Sequence, residues 1–138
     1  MATVIKTDKL PIKIESDIGN VRKYTREYSV EAKFNLLDQT KIITAASELA
    51  RNSFQYAKNG CVIIELLQND EKTGVSLLFK DDGPGIENIS LAMKDGYSSL
   101  SHLGSLGLGL PGAKRLVNEF YISSEIGKGT EIKIIRWK

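Results

Sequence analysis

The stretch Asp81-Asp82-Gly83-Pro84-Gly85-Ile86 decides the fold prediction, and it directly follows an apolar run at residues 75–79. Gly83 and Gly85 permit a close backbone approach to a flat ligand, and the Asp81 carboxylate can accept a hydrogen bond from an exocyclic amine such as that of adenine. Aspartate, glycine and proline are also common turn residues, so a plain strand-ending turn is the alternative interpretation. Two further motifs bear on this choice.

The upstream motif is Glu48-Leu49-Ala50-Arg51-Asn52. It lies in a predicted helix over residues 38–57, capped by Asp38, whose apolar face is opposite to Glu48 and Asn52. These two side chains are four residues apart and therefore neighbours, with about 5–6 Å between their Cβ atoms. An amide oxygen can ligate Mg²⁺, and a carboxylate can accept a proton from a hydroxyl group. The alternative is an ordinary solvated helix face.

The downstream motif is Gly104-Ser105-Leu106-Gly107-Leu108-Gly109-Leu110-Pro111-Gly112, just before a predicted helix over 110–120. Its last six residues match the dinucleotide fingerprint G-x-G-x-x-G, but the strand that must precede this fingerprint is missing from the pattern. A second interpretation assigns the same glycine-rich helix start to a different ligand, a nucleoside triphosphate. Backbone N–H groups at a helix start can hold triphosphate oxygens, and the glycine-rich loop can fold over a nucleotide as a lid.

Length and composition exclude several classes of protein. The 138 residues, 41% of them hydrophobic, predict one domain spanning 1–138. Nineteen basic and seventeen acidic residues give a net charge of +2 without a dense basic block, so we expect no nucleic-acid partner. Cys61 is the single cysteine, which fits a reducing cytoplasmic location. No stretch approaches the roughly 18 apolar residues of a membrane span, so we expect no membrane association.

The remaining patterns predict an α/β fold. The apolar residues around Ile12 suggest a short edge strand or a hairpin. Helical spacing after Ser16 and Asp17, which offer capping oxygens, predicts a first helix. Runs at 61–67 and 75–79 form a predicted hairpin, and a short helix is predicted around 89–95 before a loop at 97–109. Strands at 121–125 and 130–137 follow. This order favours a two-layer α/β sandwich, with a mixed, mostly antiparallel sheet and its helices on one face.

The three motifs, in this order, resemble the nucleotide-binding boxes of the GHKL (Bergerat-fold) ATP-binding superfamily, over nearly the whole chain. Within it, three stretches resemble the anti-sigma-factor serine/threonine kinases, and most of all the RsbT-type switch kinase of the bacterial stressosome. They are Ser47-Glu48-Leu49-Ala50-Arg51-Asn52, Asp82-Gly83-Pro84-Gly85-Ile86 and Gly109-Leu110-Pro111-Gly112-Ala113-Lys114-Arg115-Leu116.

The resemblance implies a role for each matching position. Glu48 corresponds to the general base, and Asn52 to the ligand of the Mg²⁺ that bridges the ATP phosphates. Asp81 corresponds to the residue that binds the adenine amino group, with Thr130 near the ring. The resemblance implies that the other matching positions also bind the nucleotide. Their glycines make room for the adenine ring or contact the phosphates. These positions are Gly83, Gly85, Ile86, Gly104, Gly107, Leu108 and Gly109.

The resemblance also implies an activity and partners. Such a kinase phosphorylates serine or threonine on STAS-domain proteins and, once released, activates a PP2C-type phosphatase. Histidine kinases have a basic residue three or four positions after the asparagine, where this chain has Gln55 and Tyr56, and Arg51 is the alternative phosphate contact. Arginine at the position of Arg51 is typical of the RsbT-type branch. We therefore expect a switch kinase first and direct binding of a sigma factor second.

Two other functions stay open at this stage. One is an ATP-dependent anti-sigma factor or phosphatase-binding module that uses the first helix around Tyr24 and Tyr28. The other is a dinucleotide-binding oxidoreductase, which rests on the G-x-G-x-x-G match alone.

Overall fold

The computed structural model describes residues 2–56, 59–86, 93 and 109–138. Most of the predicted helix at 89–95 and the predicted loop up to residue 108 lie outside these residues. The described chain folds into five strands and three helices. In chain order they are β1 (Thr3–Ile12), α1 (Ser16–Glu31), α2 (Leu36–Tyr56), β2 (Gly60–Asn69), β3 (Lys72–Asp81), α3 (Gly109–Arg115), β4 (Glu119–Glu125) and β5 (Gly129–Trp137).

The strands form one sheet in the order β1-β2-β3-β5-β4, and every described pair is antiparallel. The helices α1 and α2 pack on each other and against this sheet, and α3 packs against α2. The predicted two-layer α/β sandwich is therefore confirmed, with β1 as the predicted edge strand. The predicted hairpin is also confirmed, since β2 and β3 pair along their whole length.

Alternation along the strands places one face of the sheet in the core. Val62, Phe79, Ile132 and Ile122 form a continuous row across β2, β3, β5 and β4. The first three are buried, and Ile122 packs against the same cluster. Because side chains in a strand alternate with a period of two, the residue two places beyond Phe79 points to the same side. That residue is Asp81.

The first helix is anchored by its apolar face and by a tyrosine. Tyr28 has no exposed surface, and its hydroxyl donates a hydrogen bond to the Asp8 carboxylate at 2.6 Å. Tyr24 is half-buried against the core. The expectation that Tyr24 and Tyr28 contact a partner protein is therefore wrong for Tyr28. Its buried side chain instead joins α1 to β1. Asp17, predicted as a cap, accepts hydrogen bonds from the N–H groups of Lys13 and Ile14, which lower the pKa of its carboxyl.

The second helix begins earlier than predicted, because its cap is Asn35. The Asn35 side-chain oxygen accepts a hydrogen bond from the Asp38 N–H at 2.8 Å, so the prediction of Asp38 as the cap is wrong. Asp38 instead forms a mostly buried ion pair with Arg136 of β5 at 2.5 Å. Arg136 also donates to the carbonyl oxygen of Leu116, just beyond α3. This arginine therefore joins α2, β5 and the end of α3.

The third helix ends earlier than the sequence pattern predicts. The apolar spacing suggests a helix to residue 120, whereas α3 stops at Arg115. The Asn118 N–H donates to the carbonyl oxygen of Ile135, and Glu119 then pairs with Ile135 in the sheet. Pairing with β5 therefore overrides the local helical pattern.

Candidate nucleotide site

The sheet register brings Asp81 and Thr130 together although they are far apart in the chain. Asp81 at the end of β3 pairs with Thr130 at the start of β5, and Thr130 pairs with Ser124 of β4. All three lie on the row next to the core row, on the helical side of the sheet. Asp81 and Thr130 were predicted as site residues, and the structure places them beside each other.

A chain of hydrogen bonds fixes this end of the sheet. The Gly83 N–H donates to Asp81 Oδ1 at 2.8 Å, which orients the carboxylate. The Ile86 N–H donates to Ser124 Oγ at 2.7 Å, and Ser124 Oγ lies 2.8 Å from Thr130 Oγ1. The glycine motif is therefore joined through one serine hydroxyl to the β4–β5 hairpin.

Ser124 is a site residue that the motif comparison missed. The sequence did contain a sign of its role. The predicted turn at Gly127-Lys128-Gly129 places Ser124 opposite Thr130 in the hairpin. Pairing in a short hairpin fixes which residues face each other, so the hydroxyl pair follows from the turn position.

Gly85 has a packing role that its sequence motif does not reveal. It has a φ of +81°, and a Cβ atom there would lie 2.3 Å from the carbonyl oxygen of Glu125. The Gly127 N–H donates to the carbonyl oxygen of Pro84 at 2.9 Å, so the loop and the β4–β5 turn are in direct contact. Gly85 is thus required for this contact, whatever it does for a ligand.

Glu48 is buried, which corrects the expectation of a solvated face. Its side chain is 4% exposed, and Oε2 has no hydrogen-bond partner among the described residues. Burial raises the pKa of the Glu48 carboxyl, and the charge of Arg51 opposes this shift. A buried acceptor without a partner is costly, so a group that supplies a donor or a cation to Oε2 would be favoured.

The structure describes some of the remaining predicted site residues but not all of them. Asn52 is half-buried one helical turn beyond Glu48. Gly109 opens α3 with a φ of +52° and is half-buried. The remaining glycine-rich positions Gly104, Gly107 and Leu108 lie outside the described residues.

A cleft of about 470 Å³ lies at this end of the sheet. Most of its lining residues belong to the face opposite the helices, and they are Lys9, Cys61, Ile63, Lys80, Ser123 and Glu131. Asp81, Ser124 and Thr130 border it from the helical side, so this cleft is not itself the space beside the three predicted side chains. No cluster of three or more metal-binding side chains occurs in the described part of the chain.

The comparison with known proteins agrees with this geometry. Residues 37–138 match the model of the family described as Histidine kinase-, DNA gyrase B-, and HSP90-like ATPase. The chain belongs to this ATPase family. It is 44% identical over 126 residues to "Serine/threonine-protein kinase RsbT" of Bacillus subtilis, covering 91% of this chain and 92% of the relative.

Weaker relatives and a solved structure extend the comparison. "Anti-sigma F factor" of Clostridium kluyveri is 33% identical over 96 residues, 67% of this chain and 66% of the relative. The fold resembles the crystal structure of the RsbU and RsbW domains of a Mycobacterium tuberculosis protein, with a TM-score of 0.61 at 22% identity. That alignment covers 95% of this chain and 32% of the other, and it supports the fold alone.

These findings confirm the family, the ATP-binding class and the enzyme class. The protein is a serine/threonine-protein kinase with a GHKL-type ATP-binding domain. Among the described helices, none combines the length and apolar character needed to cross a membrane.

Proposed function

We propose that this kinase transfers phosphate from ATP to a serine or threonine of a STAS-domain partner, in a cytoplasmic partner-switching pathway of the bacterial stressosome. Once released from that partner, it would activate a PP2C-type phosphatase. The similarity to a relative named as a serine/threonine-protein kinase over nearly its full length supports this function. The observation that carries it is the buried Glu48 carboxylate with an unpartnered oxygen.

The described residues fit a bound nucleotide. Asp81 Oδ1 is occupied by the Gly83 N–H, so its second oxygen would accept a hydrogen bond from the adenine amino group. Thr130, held by Ser124, would contact the same region of the ring. Gly83 and Ile86 would border the ring, while the three glycine-rich positions 104, 107 and 108, with Gly109, would contact the phosphates.

The cation would be held by Asn52. An amide oxygen is a normal Mg²⁺ ligand, and the phosphate oxygens would complete the coordination. When bound, Mg²⁺ neutralises charge that develops on the phosphate groups.

Glu48 would act on the acceptor hydroxyl. As the hydroxyl oxygen forms its bond to the γ-phosphorus, the bond between that phosphorus and the leaving ADP oxygen breaks, and the hydroxyl proton passes to the Glu48 carboxylate. Burial makes this carboxylate a stronger proton acceptor than an exposed one, because it disfavours the charged form. The charge of Arg51 acts in the opposite direction and lowers the pKa of this carboxyl, which limits the effect of burial.

The test compares Glu48→Gln with Glu27→Gln, a control at an exposed position of α1. Glu48→Gln should lose phosphate transfer to STAS-domain proteins by about 100-fold or more and still bind Mg·ATP. Glu27→Gln should retain both. Unimpaired transfer by Glu48→Gln would remove this residue from the role of base.

Binding is tested separately by calorimetric titration of Mg·ATP into the wild-type protein and Asp81→Asn, with NADH as the competing ligand. We expect ATP to bind, Asp81→Asn to weaken it strongly, and NADH not to compete. Preference for NADH would restore the dinucleotide alternative.

A second candidate function is ATP-dependent sequestration of a sigma factor, since several relatives carry the name anti-sigma F factor. Its test is retention of a purified sigma factor on the immobilised kinase with and without Mg·ATP. ATP-dependent retention without phosphorylation of any STAS-domain protein would make it the primary function.

A further inference from the structure

The hydroxyl of Ser124 has three polar neighbours and a single hydrogen. Ser124 of β4 pairs with Thr130 of β5, and both side chains are half-buried on the helical side of the sheet. Ser124 Oγ accepts a hydrogen bond from the Ile86 N–H at 2.7 Å. It lies 2.8 Å from Thr130 Oγ1 and 3.2 Å from the carbonyl oxygen of Gly129. Because a hydroxyl donates only one hydrogen bond, Ser124 can donate to one of these two oxygens and not to both.

Two arrangements of the hydroxyl hydrogens are therefore open to this pair. In the first, Ser124 donates to Thr130, and the hydrogen of the Thr130 hydroxyl stays free for a ligand. In the second, Thr130 donates to Ser124, which donates to the Gly129 carbonyl. Hydrogen bonds between a hydroxyl and an oxygen are about 2.7–2.8 Å long and seldom exceed about 3.0 Å. The first arrangement gives up only the long contact to Gly129, so it is the one that a ligand with an acceptor selects.

The neighbouring carboxylate completes a pattern of one acceptor and one donor. Asp81 pairs with Thr130, so the two side chains lie side by side. The Gly83 N–H occupies Asp81 Oδ1, which leaves the other oxygen as an acceptor. Adenine carries an amino donor next to a ring-nitrogen acceptor. Guanine and hypoxanthine carry a carbonyl acceptor next to an N–H donor, which is the reverse order. An acceptor on Asp81 beside a donor on Thr130 therefore fits adenine and opposes the 6-oxopurines.

We propose that Ser124 is a specificity-determining residue of the nucleotide site. It positions the hydroxyl of Thr130 as a hydrogen-bond donor, and it acts through Thr130 without touching the base. The kinase would therefore take adenine nucleotides and reject 6-oxopurine nucleotides by a second criterion besides the carboxylate of Asp81. This inference rests on the proposed binding of the adenine ring at Asp81 and Thr130.

The position of Ser124 is fixed from both sides. The Ile86 N–H of the glycine motif fills one of its lone pairs. The backbone before Thr130 is in close contact with β3, because a Cβ atom on Gly129 would lie 2.0 Å from the carbonyl oxygen of Asp81. The distance between the two hydroxyls thus depends on strand pairing. A donor that is already oriented before the base enters costs less ordering on binding.

The test measures the dissociation constants of Mg·ATP and of the magnesium complex of inosine triphosphate (ITP) by calorimetric titration. ITP carries the reversed edge, so the wild-type protein should bind it about 100-fold more weakly than ATP. In Ser124→Ala, the Thr130 hydroxyl is free to turn and accept a hydrogen bond from ITP. The preference for ATP should then fall by about tenfold. Ser124→Thr retains a hydroxyl and should restore the wild-type preference.

A purely structural role of Ser124 predicts a different result. If this serine only holds the glycine motif in place, Ser124→Ala should weaken both nucleotides by the same factor. An unchanged preference for ATP in Ser124→Ala would therefore overturn the proposal. The matched control is Ser123→Ala, whose exposed side chain points to the opposite face of the sheet. It should retain the wild-type preference, and an equal fall in this control would also contradict the proposal.

A double-mutant cycle tests whether Ser124 acts through Thr130. Thr130→Val removes the hydroxyl that Ser124 is proposed to orient. The preference for ATP in Thr130→Val and in Ser124→Ala/Thr130→Val should therefore agree within about twofold. A further fall in the double variant would show that Ser124 reaches the base by another route and would overturn the proposal. Melting temperatures of all variants establish that each is folded at the titration temperature.

The same titrations separate this inference from the proposed function. Absence of ATP binding by the wild-type protein would overturn both. If ATP binds and Asp81→Asn weakens it strongly, while Ser124→Ala keeps the wild-type preference, the adenine site stands and only the role of Ser124 is refuted.

Discussion

Replacing Glu48 by glutamine should make the folded protein more stable while it removes activity. The carboxylate is 4% exposed and its Oε2 has no described partner. An unsatisfied buried acceptor costs about 1–3 kcal/mol, and more when it is charged. Glutamine leaves a neutral amide at the same place, so we expect a gain of about 1–2 kcal/mol at pH 7. For a chain of this length that corresponds to about 3–7 °C in melting temperature.

The pH dependence of this gain is the sharper test. Burial raises the pKa of the folded Glu48 carboxyl above its ordinary value of 4.5. At a pH below 4.5 the carboxyl is protonated in both the folded and unfolded states, so its charge costs no stability there. As the pH rises through the folded pKa, the wild-type protein must ionise a buried group and loses stability, whereas Glu48→Gln does not.

The assay is urea denaturation of both proteins without nucleotide, from pH 4 to pH 8, with Glu27→Gln as the exposed control. The stability difference between Glu48→Gln and wild type should grow with pH and then level off, and Glu27→Gln should show almost none. A destabilised Glu48→Gln at pH 7, or a gain of equal size at pH 4, would refute the reasoning. It would mean that the carboxylate is satisfied or that its burial costs little.

Three further predictions concern the contacts around the site. Gly85→Ala should destabilise the protein by about 2 kcal/mol or more in thermal denaturation, because its Cβ would meet the Glu125 carbonyl oxygen at 2.3 Å. Gly127→Ala, at a similar φ of +80° with open space around it, should cost only about 1 kcal/mol, and equal losses would contradict the steric argument. Ser124→Ala should weaken Mg·ATP binding several-fold in calorimetry, since Ile86 and Thr130 lose their shared partner, while exposed Ser123→Ala should not. Asp38→Asn and Arg136→Met should each cost about 3 kcal/mol in urea denaturation, and the double variant less than their sum, because each single change leaves a mostly buried charge unpaired. Additive losses would show that the pair is not coupled.

The sequence was most informative where one local pattern decides the structure. The β2–β3 hairpin follows from two apolar runs around a polar turn, and the β4–β5 hairpin follows from the Gly127-Lys128-Gly129 turn. Both pairings are local and place Asp81 and Thr130 at strand ends. The neighbouring position of these two residues needs the contact between β3 and β5, which no local pattern encodes.

The burial of Glu48 shows why part of the site was not predictable. The periodicity of α2 describes the face that meets the sheet, and on that basis Glu48 belongs to the solvent side. The helix has additional neighbours, α1 and α3, which cover more of its surface. Hydrophobic periodicity records the largest buried face of a helix and does not show a polar residue enclosed by a later element. The cap of α2 was misassigned for a related reason, since Asp38 satisfies Arg136 rather than the helix end.

The position of β5 within the sheet has a consequence for synthesis of the protein. It follows β4 in the order of the described strands, yet it lies between β3 and β4 rather than at an edge. Until β5 is in place, β3 has one unpaired side and Asp81 lacks its neighbour Thr130, which is about fifty residues away in the chain. Pairing between such distant segments is slow to form and leaves an open strand edge meanwhile. We therefore expect a ribosome-bound nascent chain to be unable to bind ATP until the residues of β5, Gly129–Trp137, have emerged.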